Sequence, residues 1–499
     1  MRAAWLGAAM LTAACGGSGT PAVDRPNVLL VTIDTLRADH LSCYGYERPT
    51  SPHLDALAAE GWRCTHVQSP RAKTTPAIAS LLSGLYPHDH GVRDLSGPLR
   101  APVPLLQEVL GRAGYRTAGL VGNFVLTDAR SGLARGFDHW EDTLPDLRGV
   151  PPHAAPQRTA SSLTDGALTW LAEPSDRPWF LWLHYMDPHG AYEPPAEHRS
   201  FEGGPPVLLP LESELPASTL HHYRIAEYNV PADARTPEGR VDTEVVRARY
   251  DGEIHYADAE LGRLLDHLRE TGVLEHTLVV VTADHGESLG EHRYWYEHGV
   301  YAYQATCRVP LIVRPPAALR ATPGVRAGDL SLVDVAPTVL ELVGLPPRLG
   351  GEEDRAGSLR GRSRAGLLLR DESAGPPVFS EKVERAELDG AVQIKAVRIG
   401  DWKLIRRYAH RPERNPGEGR ELVALSDELY DLESDPAEAH DLSQSPPAGA
   451  PVAELRAALL DFAAADVHFA ELADILQQRR EALERDDAEA LRTLKALGY

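Results

Sequence analysis

Short apolar runs alternate with amphipathic stretches along the chain from residue 27 onward. Residues 28–33 are dense in β-branched and other apolar side chains, which predicts a buried strand. Four further runs predict strands of the same kind: residues 117–121, 179–183, 277–282 and 310–313. Strands that alternate with helical patterns are typical of α/β domains, so we expect a large mixed, mostly parallel sheet flanked by helices.

Two predicted helices fall between these strands. Ser51 and Pro52 begin the first, because serine suits the cap position and proline suits the first helical position, and Gly61 ends it. Residues 253–269 place apolar side chains at helical spacing, and Gly272 follows as a terminator. We expect this second helix to serve core packing.

The last third of the chain has a different pattern. Three alternating segments predict an antiparallel sheet in a smaller C-terminal α+β subdomain: residues 378–382, 391–405 and 428–432. Residues 350–370 are rich in Gly, Arg, Ser and Glu and are interpreted as a linker. Residues 451–499 are dense in Ala, Leu, Glu and Arg, which predicts two helices. Residues 150–157 and 203–236 are expected to be surface loops.

The N-terminus has the composition of an export signal. Arg2 precedes a short apolar run that ends in small residues, and no other run is long enough to span a bilayer. Residues 11–15, which end at Cys15, resemble a bacterial lipobox, although Thr12 stands where leucine is commoner. We expect an exported, periplasmic or outer-membrane-anchored lipoprotein whose only membrane contact is a lipid on Cys15. The alternative is a cleaved signal with an incidental cysteine.

These patterns divide the chain into four expected units. They are residues 1–25 as signal and tether, 26–350 as the large α/β domain, 351–445 as the antiparallel-sheet subdomain and 446–499 as a helical tail.

The net charge and the cysteine content exclude some classes of function and of site. The 499 residues include 51 Lys and Arg against 72 Asp and Glu, a net charge of −21. Such an excess repels a phosphate backbone, so we expect no nucleic-acid partner, although a local basic pocket can still accept an anionic substrate. The four cysteines are too few and too scattered for a disulfide framework or a cysteine-based metal site.

Two predicted strands end in residues that can bind a metal. Asp284 and His285 follow the apolar run over 277–281, and Asp34 follows the run over 28–33. The carboxyl ends of parallel strands meet at one edge of a sheet, where α/β proteins bind ligands. Two carboxylates and an imidazole suit Ca²⁺, Mg²⁺, Mn²⁺ or Zn²⁺. The alternative is a turn that Asp merely caps.

A threonine stands before a third predicted element. Pro76 suits the first turn of a helix that runs to about residue 83, which places Thr74 at its N-terminus. Backbone N–H groups and the helix dipole favour an anion there. A threonine hydroxyl next to a divalent metal could ionise and attack phosphorus or sulfur. On this segment alone, the better interpretation is that Thr74 or Thr75 is only the helix cap.

Seven segments, taken in order, resemble the sulfatase family of the alkaline-phosphatase superfamily over residues 26–445. They are residues 26–41, 74–92, 184–189, 284–292, 309–313, 334–338 and 429–436. The resemblance implies an alkaline-phosphatase-like fold and a nucleophile position at Thr74. It also implies a divalent cation, expected to be Ca²⁺, Mn²⁺ or Zn²⁺, and its ligands would be Asp34, Thr74, Asp284 and His285.

Supporting roles are expected for charged residues near these motifs. Lys73 and Arg37 are candidates to hold a nonbridging oxygen, and His189 or His298 to bind the ester or protonate the leaving group. The alternatives are a solvated Lys73, an ion pair between Arg37 and Asp39, and histidines that are hydrogen-bonded structural groups. A second metal would need further ligands, which His189, His292 or His298 could supply only by conjecture.

Departures from the family pattern change the expected mechanism. Sulfatases typically carry a cysteine or serine, oxidised to formylglycine, at the position of Thr74, and an arginine at the position of Ile78. The second aspartate that usually follows the first is here Thr35. A sulfated threonine lacks the aldehyde exit of formylglycine, whereas a phosphorylated threonine can be hydrolysed or can pass its group to an acceptor. The mechanism therefore favours phosphate or phosphonate, and the resemblance favours sulfate.

The sequence thus predicts a metal-dependent hydrolase of an anionic ester, with a small-molecule, saccharide or lipid-linked substrate. Two alternatives stay open. One is a transferase, of the phosphoethanolamine type, that moves a phosphoryl-linked group to an envelope acceptor. The other is a noncatalytic binding protein on the same fold.

Overall fold

The computed structural model describes residues 25–95, 97–99, 103–145, 157–210, 224–350, 361–372, 375–386, 390–411 and 421–466. Its α-helices are α1 (Pro52–Glu60), α2 (Thr74–Ser83), α3 (Pro87–His90), α4 (Leu106–Arg112), α5 (Asp128–Ser131), α6 (Ala160–Leu171), α7 (Thr243–Glu270), α8 (Gln304–Cys307), α9 (Val335–Leu342), α10 (Ala365–Arg370) and α11 (Val452–Ala464). Short 3₁₀ turns lie among them.

The strands form four sheets. They are β1 (Asn27–Ile33), β2 (Trp62–Cys64), β3 (Val67–Gln68), β4 (Arg116–Val121), β5 (His139–Glu141), β6 (Trp179–Tyr185), β7 (Arg224–Ile225), β8 (Thr277–Ala283), β9 (Ser288–Leu289), β10 (Tyr294–Glu297), β11 (Leu311–Arg314), β12 (Gly324–Arg326), β13 (Leu330–Ser331), β14 (Val378–Ala386), β15 (Gly390–Ile399), β16 (Trp402–Arg411) and β17 (Glu421–Asp431).

The largest sheet confirms the predicted α/β architecture. Its eight strands follow the order β12-β2-β11-β8-β1-β6-β4-β5. Only β11 runs antiparallel to its neighbours, so the sheet is mixed and mostly parallel. The central strand β1 is buried from Val28 to Ile33, as its β-branched run predicts. One helix group, α1, α6 and α7, and another, α2, α4 and α9, pack around the sheet.

Helix α7 is longer than its apolar pattern indicates. It begins at Thr243, ten residues before the predicted start, where the Asp242 side chain accepts a hydrogen bond from the Glu244 backbone N–H. Its first turns bury charged residues, including Arg249 and Asp251, beside apolar ones. Paired charges therefore replace the apolar stripe that sequence patterning detects.

The C-terminal sheet is antiparallel, as predicted, with the order β14-β15-β16-β17. The alternating segment predicted over 391–405 contains two strands. A turn at Gly400, where φ is +59°, divides that segment into β15 and β16. Helix α11 packs Leu455, Leu459 and Phe462 into the core of this sheet.

The described residues bear on the expected domain boundary at residue 350. Helix α10 lies beyond the predicted boundary at residue 350, yet it buries Ala365, Leu367 and Leu368 in the core of the large unit. Residues 1–24, which contain the predicted signal and Cys15, lie outside the described residues, as do 467–499. Within the described ranges, every helix is too short or too polar to cross a bilayer.

Candidate active site

Four neighbouring strands deliver polar side chains to one edge of the large sheet. Asp34 follows β1, and Asp284 follows β8, which pairs with β1 so that Ile33 lies opposite Ala283. His184 lies on β6, opposite Thr32 of β1, and Asn123 follows β4 beyond β6. All four side chains are fully buried. The predicted meeting of Asp34 and Asp284 at the carboxyl ends of parallel strands is therefore present.

Asp34 lies at the centre of this group. Its Oδ2 accepts a hydrogen bond from Asn123 Nδ2 at 2.7 Å and lies 3.3 Å from His184 Nε2. Its Oδ1 has no hydrogen-bond partner among the described residues. Burial acts to raise the pKa of the Asp34 carboxyl, but the His184 hydrogen bond and the nearby His189 and His285 together lower it well below the usual value. Asp34 is therefore ionised.

Asp284 and His285 occupy the next strand end. Asp284 Oδ1 accepts hydrogen bonds from the backbone N–H of His285 at 2.8 Å and of Thr35 at 3.3 Å, whereas Oδ2 has no partner among the described residues. Burial and the charge of Asp34 raise the pKa of the Asp284 carboxyl. His285 Nδ1 lies 3.0 Å from the Gly286 carbonyl oxygen, which can only accept, so Nδ1 carries the proton and Nε2 a lone pair.

Thr74 is the first residue of α2 and faces all three predicted ligands. Its Oγ1 lies 3.5 Å from Asp34 Oδ2 and 3.4 Å from His285 Nε2, and it hydrogen-bonds the Asp284 carboxyl. Lys73, not Thr74, occupies the cap position, and the Thr75 hydroxyl donates to the Val125 carbonyl oxygen at 3.3 Å. The structure thus separates the two threonines, and only Thr74 faces the acidic cluster.

The cluster has the chemistry of a cation site. Asp34, His184 and Asp284 each offer a ligand atom within 4.8 Å of the others, and all are buried. Oδ1 of Asp34 and Oδ2 of Asp284 are buried oxygens that lack a donor among the described residues, which is costly unless a cation compensates them. His285 Nε2 lies 3.8 and 3.3 Å from these two oxygens. Two carboxylates with imidazole nitrogens fit a divalent metal.

Two more histidines border the cluster. The His298 ring lies 4.3 Å from the His285 ring and 5.3 Å from the His189 ring, measured between centroids. His298 Nδ1 lies 3.2 Å from Glu287 Oε1, and His189 Nδ1 donates to the Gly190 carbonyl oxygen at 3.0 Å. Burial and the neighbouring His189 lower the pKa of His298 well below its usual value, so His298 is neutral.

Comparison with known proteins identifies the family of this chain. The sequence model of the family named Sulfatase matches residues 26–345. The chain belongs to the sulfatase family.

Two related sequences and one solved structure show what this sulfatase-family chain is similar to. It is 23% identical over 509 residues to the N-acetylglucosamine-6-O-sulfatase of Bacteroides thetaiotaomicron, covering 87% of this chain and 86% of the relative. It is 25% identical over 474 residues to the choline-sulfatase of Rhizobium meliloti, covering 85% and 83%. The crystal structure of the phosphonate monoester hydrolase of Agrobacterium radiobacter matches with a TM-score of 0.65 at 22% identity, covering 89% of this chain and 97% of that chain.

These matches confirm the predicted family and alkaline-phosphatase-like fold. The chain is an ester-hydrolysing enzyme of a family whose members use a divalent metal. Two residues at which the chain departs from the expected sulfatase pattern, Ile78 and Thr35, are both buried. Ile78, at the usual arginine position, is fully buried in α2. Thr35 adopts a left-handed φ of 55°, and its buried Oγ1 has no partner among the described residues.

Lys73 borders the site from the start of α2. Its Nζ donates to Asp94 Oδ1 at 2.9 Å. The side chain crosses Gly299, where an added Cβ would lie 2.7 Å from Lys73 Cε, and the left-handed φ of +85° at this position also favours glycine. The predicted role of Lys73 in holding an oxygen of the ester stays a prediction.

Arg37 is buried in ion pairs. Its guanidinium bonds Asp39 at 2.7 Å, Glu291 at 2.7 Å and the Glu287 carbonyl oxygen at 3.1 Å. The ion pair with Asp39, foreseen as the structural alternative, is therefore present. Its predicted contact with the ester stays a prediction.

His184 is the residue that sequence reasoning missed. In the sequence it is only the first residue of the segment over 184–189, directly after the apolar run over 179–183. Its closeness to Asp34 depends on the pairing of β1 with β6, which a single sequence does not reveal. The one available signal was a histidine at the end of a buried strand. Of the histidines suggested for a second metal, His292 lies instead against Tyr303, with ring centroids 3.5 Å apart.

Proposed function

We propose that the chain hydrolyses a phosphate or phosphonate ester and that Thr74 is its nucleophile. One observation carries the proposal: a fully buried threonine hydroxyl, at the N-terminus of α2, faces Asp34, Asp284 and His285 together. The names of the relatives support an anionic ester, since two are sulfatases and one is a phosphonate monoester hydrolase. Threonine in place of a formylglycine precursor favours phosphorus over sulfur.

The residues of the site suggest how Thr74 is activated. When bound between Asp34, Asp284 and His285, a divalent cation supplies positive charge that lowers the pKa of a nearby hydroxyl and stabilises anionic oxygens. The Thr74 proton has two carboxylate acceptors, Asp34 and Asp284. Either carboxylate can accept that proton as Thr74 attacks.

Thr74 Oγ1 then attacks phosphorus, and the bond from phosphorus to the leaving alcohol oxygen breaks. We assign the proton for that oxygen to His189. Its ring borders the cluster, 5.3 Å from the His298 ring, whereas burial holds His298 neutral. Neutral His189 can next accept a proton from the water that attacks the phosphothreonine. The bond from phosphorus to Thr74 Oγ1 breaks, and the carboxyl that took the Thr74 proton returns it to Oγ1. Backbone N–H groups at the start of α2 favour the anionic group throughout.

A substrate panel tests this proposal. The 4-nitrophenyl esters of phosphate, phenylphosphonate and sulfate should be assayed with the wild type, Thr74→Ala and the matched control Thr75→Val. We expect turnover of a phosphorus ester, a loss of at least about 10³-fold in Thr74→Ala, and near-normal turnover in Thr75→Val. Turnover of the sulfate ester alone would overturn the assignment to phosphorus.

The same panel separates the alternatives. With an added acceptor alcohol, transfer of every released group to the acceptor and none to water would identify a transferase. Absence of turnover on all three esters, in protein saturated with Ca²⁺, Mn²⁺ or Zn²⁺, would identify a noncatalytic binding protein.

We also propose export, with a lipid on Cys15, on the composition of residues 1–25 alone. Fractionation of bacteria that express the wild type or Cys15→Ser tests it. The wild type should sediment with membranes and the variant should be released into a soluble fraction. Equal partition of the two proteins would refute the anchor.

A further inference from the structure

A second cleft opens beside the catalytic centre, between the segment over 291–303 and the C-terminal sheet. We call it the distal cleft. Its volume is about 580 Å³, and it is lined by His292, Arg293, Tyr301, Tyr303, Arg407, Ser426 and Glu428. Tyr301 lies three residues after His298, and three residues of chain span at most about 11 Å. Because the His298 ring lies 4.3 Å from that of His285, one extended molecule can reach both places.

The distal cleft is positively charged within a chain of net charge −21. Arg293 is exposed and Arg407 is half-buried on β16, directly opposite Ser426 of β17. Over the described ranges, neither guanidinium makes a hydrogen bond or ion pair. Arg37, by contrast, is paired with the carboxylates of Asp39 and Glu291.

Glu428, the acidic residue of the cleft, already accepts two hydrogen bonds. Glu428 Oε2 accepts the Tyr303 hydroxyl at 2.8 Å and the Tyr430 hydroxyl at 2.9 Å. Those bonds hold the carboxylate in place instead of leaving it to pair with Arg407. The two guanidiniums therefore remain available to an anion, and their planar donors match carboxylate, sulfate and phosphate groups.

Three aromatic rings line the distal cleft together with the arginines. The rings of His292 and Tyr303 stack at 3.5 Å with an angle of 8° between their planes, and the Tyr301 ring lies 5.4 Å from that of Tyr303. His292 and Arg293 hold left-handed φ angles of 55° and 63°, which cost non-glycine residues free energy. Residues held in such conformations cluster at functional sites.

We propose that the distal cleft binds a second anionic group of the substrate, carried on a saccharide, through Arg293 and Arg407. This inference rests on the proposed function, since it assigns the remainder of the ester that Thr74 attacks. Aromatic faces pack against the apolar face of a sugar ring, and the arginines receive its carboxylate or sulfate. Specificity would then come from a charge held apart from the reacting ester.

Binding of saccharides to the full chain in a Thr74→Ala background tests the inference without requiring turnover. The probes are a heparin tetrasaccharide, which is anionic, and neutral maltotetraose, each measured by titration calorimetry. Arg293→Gln and Arg407→Gln are compared with Arg320→Gln, an exposed arginine on the β11–β12 connection. We expect each cleft variant to weaken heparin binding about tenfold, the control variant to be neutral, and maltotetraose to bind far more weakly.

Several results would overturn the inference. They are unchanged heparin affinity in both cleft variants, equal affinity for maltotetraose, or no heparin binding at all. Arg407→Lys, which keeps the charge but loses the planar fork, should give an intermediate affinity and guards against misfolding of the glutamine variant.

Turnover distinguishes this inference from the proposed function. In the wild-type background, kcat/KM for a 4-nitrophenyl ester, which has no second anion, should stay within about twofold in both cleft variants. A tenfold loss there would assign the arginines to the reacting group and overturn the distal role. If no ester is turned over but heparin binding depends on both arginines, the proposed function fails and the distal cleft stands.

Discussion

A buried cluster of charges joins the C-terminal sheet to the segment that follows the nucleophile helix, and it yields the sharpest stability prediction. Lys395 of β15 is fully buried and bonds both Glu381 of β14 and Asp466 after α11, the latter at 3.1 Å. Arg93 also bonds Asp466, and His88 Nδ1 lies 3.1 Å from Glu381. The cluster therefore ties α3 to the smaller unit.

Lys395→Met removes one positive charge while it preserves the length of the side chain. Glu381 and Asp466 would then share Arg93 as their one permanent cation. Removing one partner of a buried ion pair costs about 3–5 kcal/mol, because the other partner stays buried without full compensation. We therefore expect Lys395→Met to lower the free energy of unfolding by about 3–5 kcal/mol. In Lys395→Met/Glu381→Gln the charges balance again, and at least half of that loss should be recovered.

Urea unfolding, followed by tryptophan fluorescence, measures these differences as shifts of the midpoint at a common slope. Arg320→Met is the control, since this exposed arginine should change stability by no more than about 0.5 kcal/mol. A loss below about 1 kcal/mol in Lys395→Met, or a double variant that loses the sum of both single losses, would refute the reasoning.

Three further predictions follow from the site and its supports. Chelation should lower the melting temperature of the wild type but leave Asp284→Asn unchanged, and elemental analysis should find one bound metal only in the wild type; an equal metal content would contradict the site. His189→Asn should reduce kcat/KM more for alkyl esters than for 4-nitrophenyl esters, whose leaving group needs no proton; equal losses would exclude His189 as the acid. Burial raises the pKa of Asp258 to about 7, above an unfolded value of 3.8, so its protonated form stabilises the fold at low pH. As the pH rises from 4 to 7, the free energy of unfolding of the wild type should fall relative to that of Asp258→Asn by about 1.4 kcal/mol per pH unit. A difference between the two urea midpoints that does not change with pH would contradict this.

The strand ends of the site could be predicted from the sequence for a clear physical reason. A parallel strand buried on both faces reads as a continuous β-branched run, so the runs before Asp34 and Asp284 were visible. Their lateral pairing places the two carboxylates together, and Thr74 was placed by the proline-marked start of α2.

The missed features depend on contacts between distant parts of the chain. His184 joins the cluster through pairing of β6 with β1, and the start of α7 is hidden by buried charges such as Asp251, which bonds His40 at 2.7 Å. From the sequence, Lys395 and its partners would be taken for exposed surface residues, because Glu381 and Asp466 are distant from Lys395 along the chain. In each case a polar residue is buried by a partner that periodicity does not reveal.

The central claim, that Thr74 attacks the ester, is tested most directly by rapid-quench mass spectrometry of the peptide that contains it. During turnover of a phosphorus ester, the account predicts a phosphoryl or phosphonyl group on Thr74 in the wild type and none on Thr75. A sulfo group on Thr74, or turnover in Thr74→Ala at the wild-type rate with no modified threonine, would contradict it.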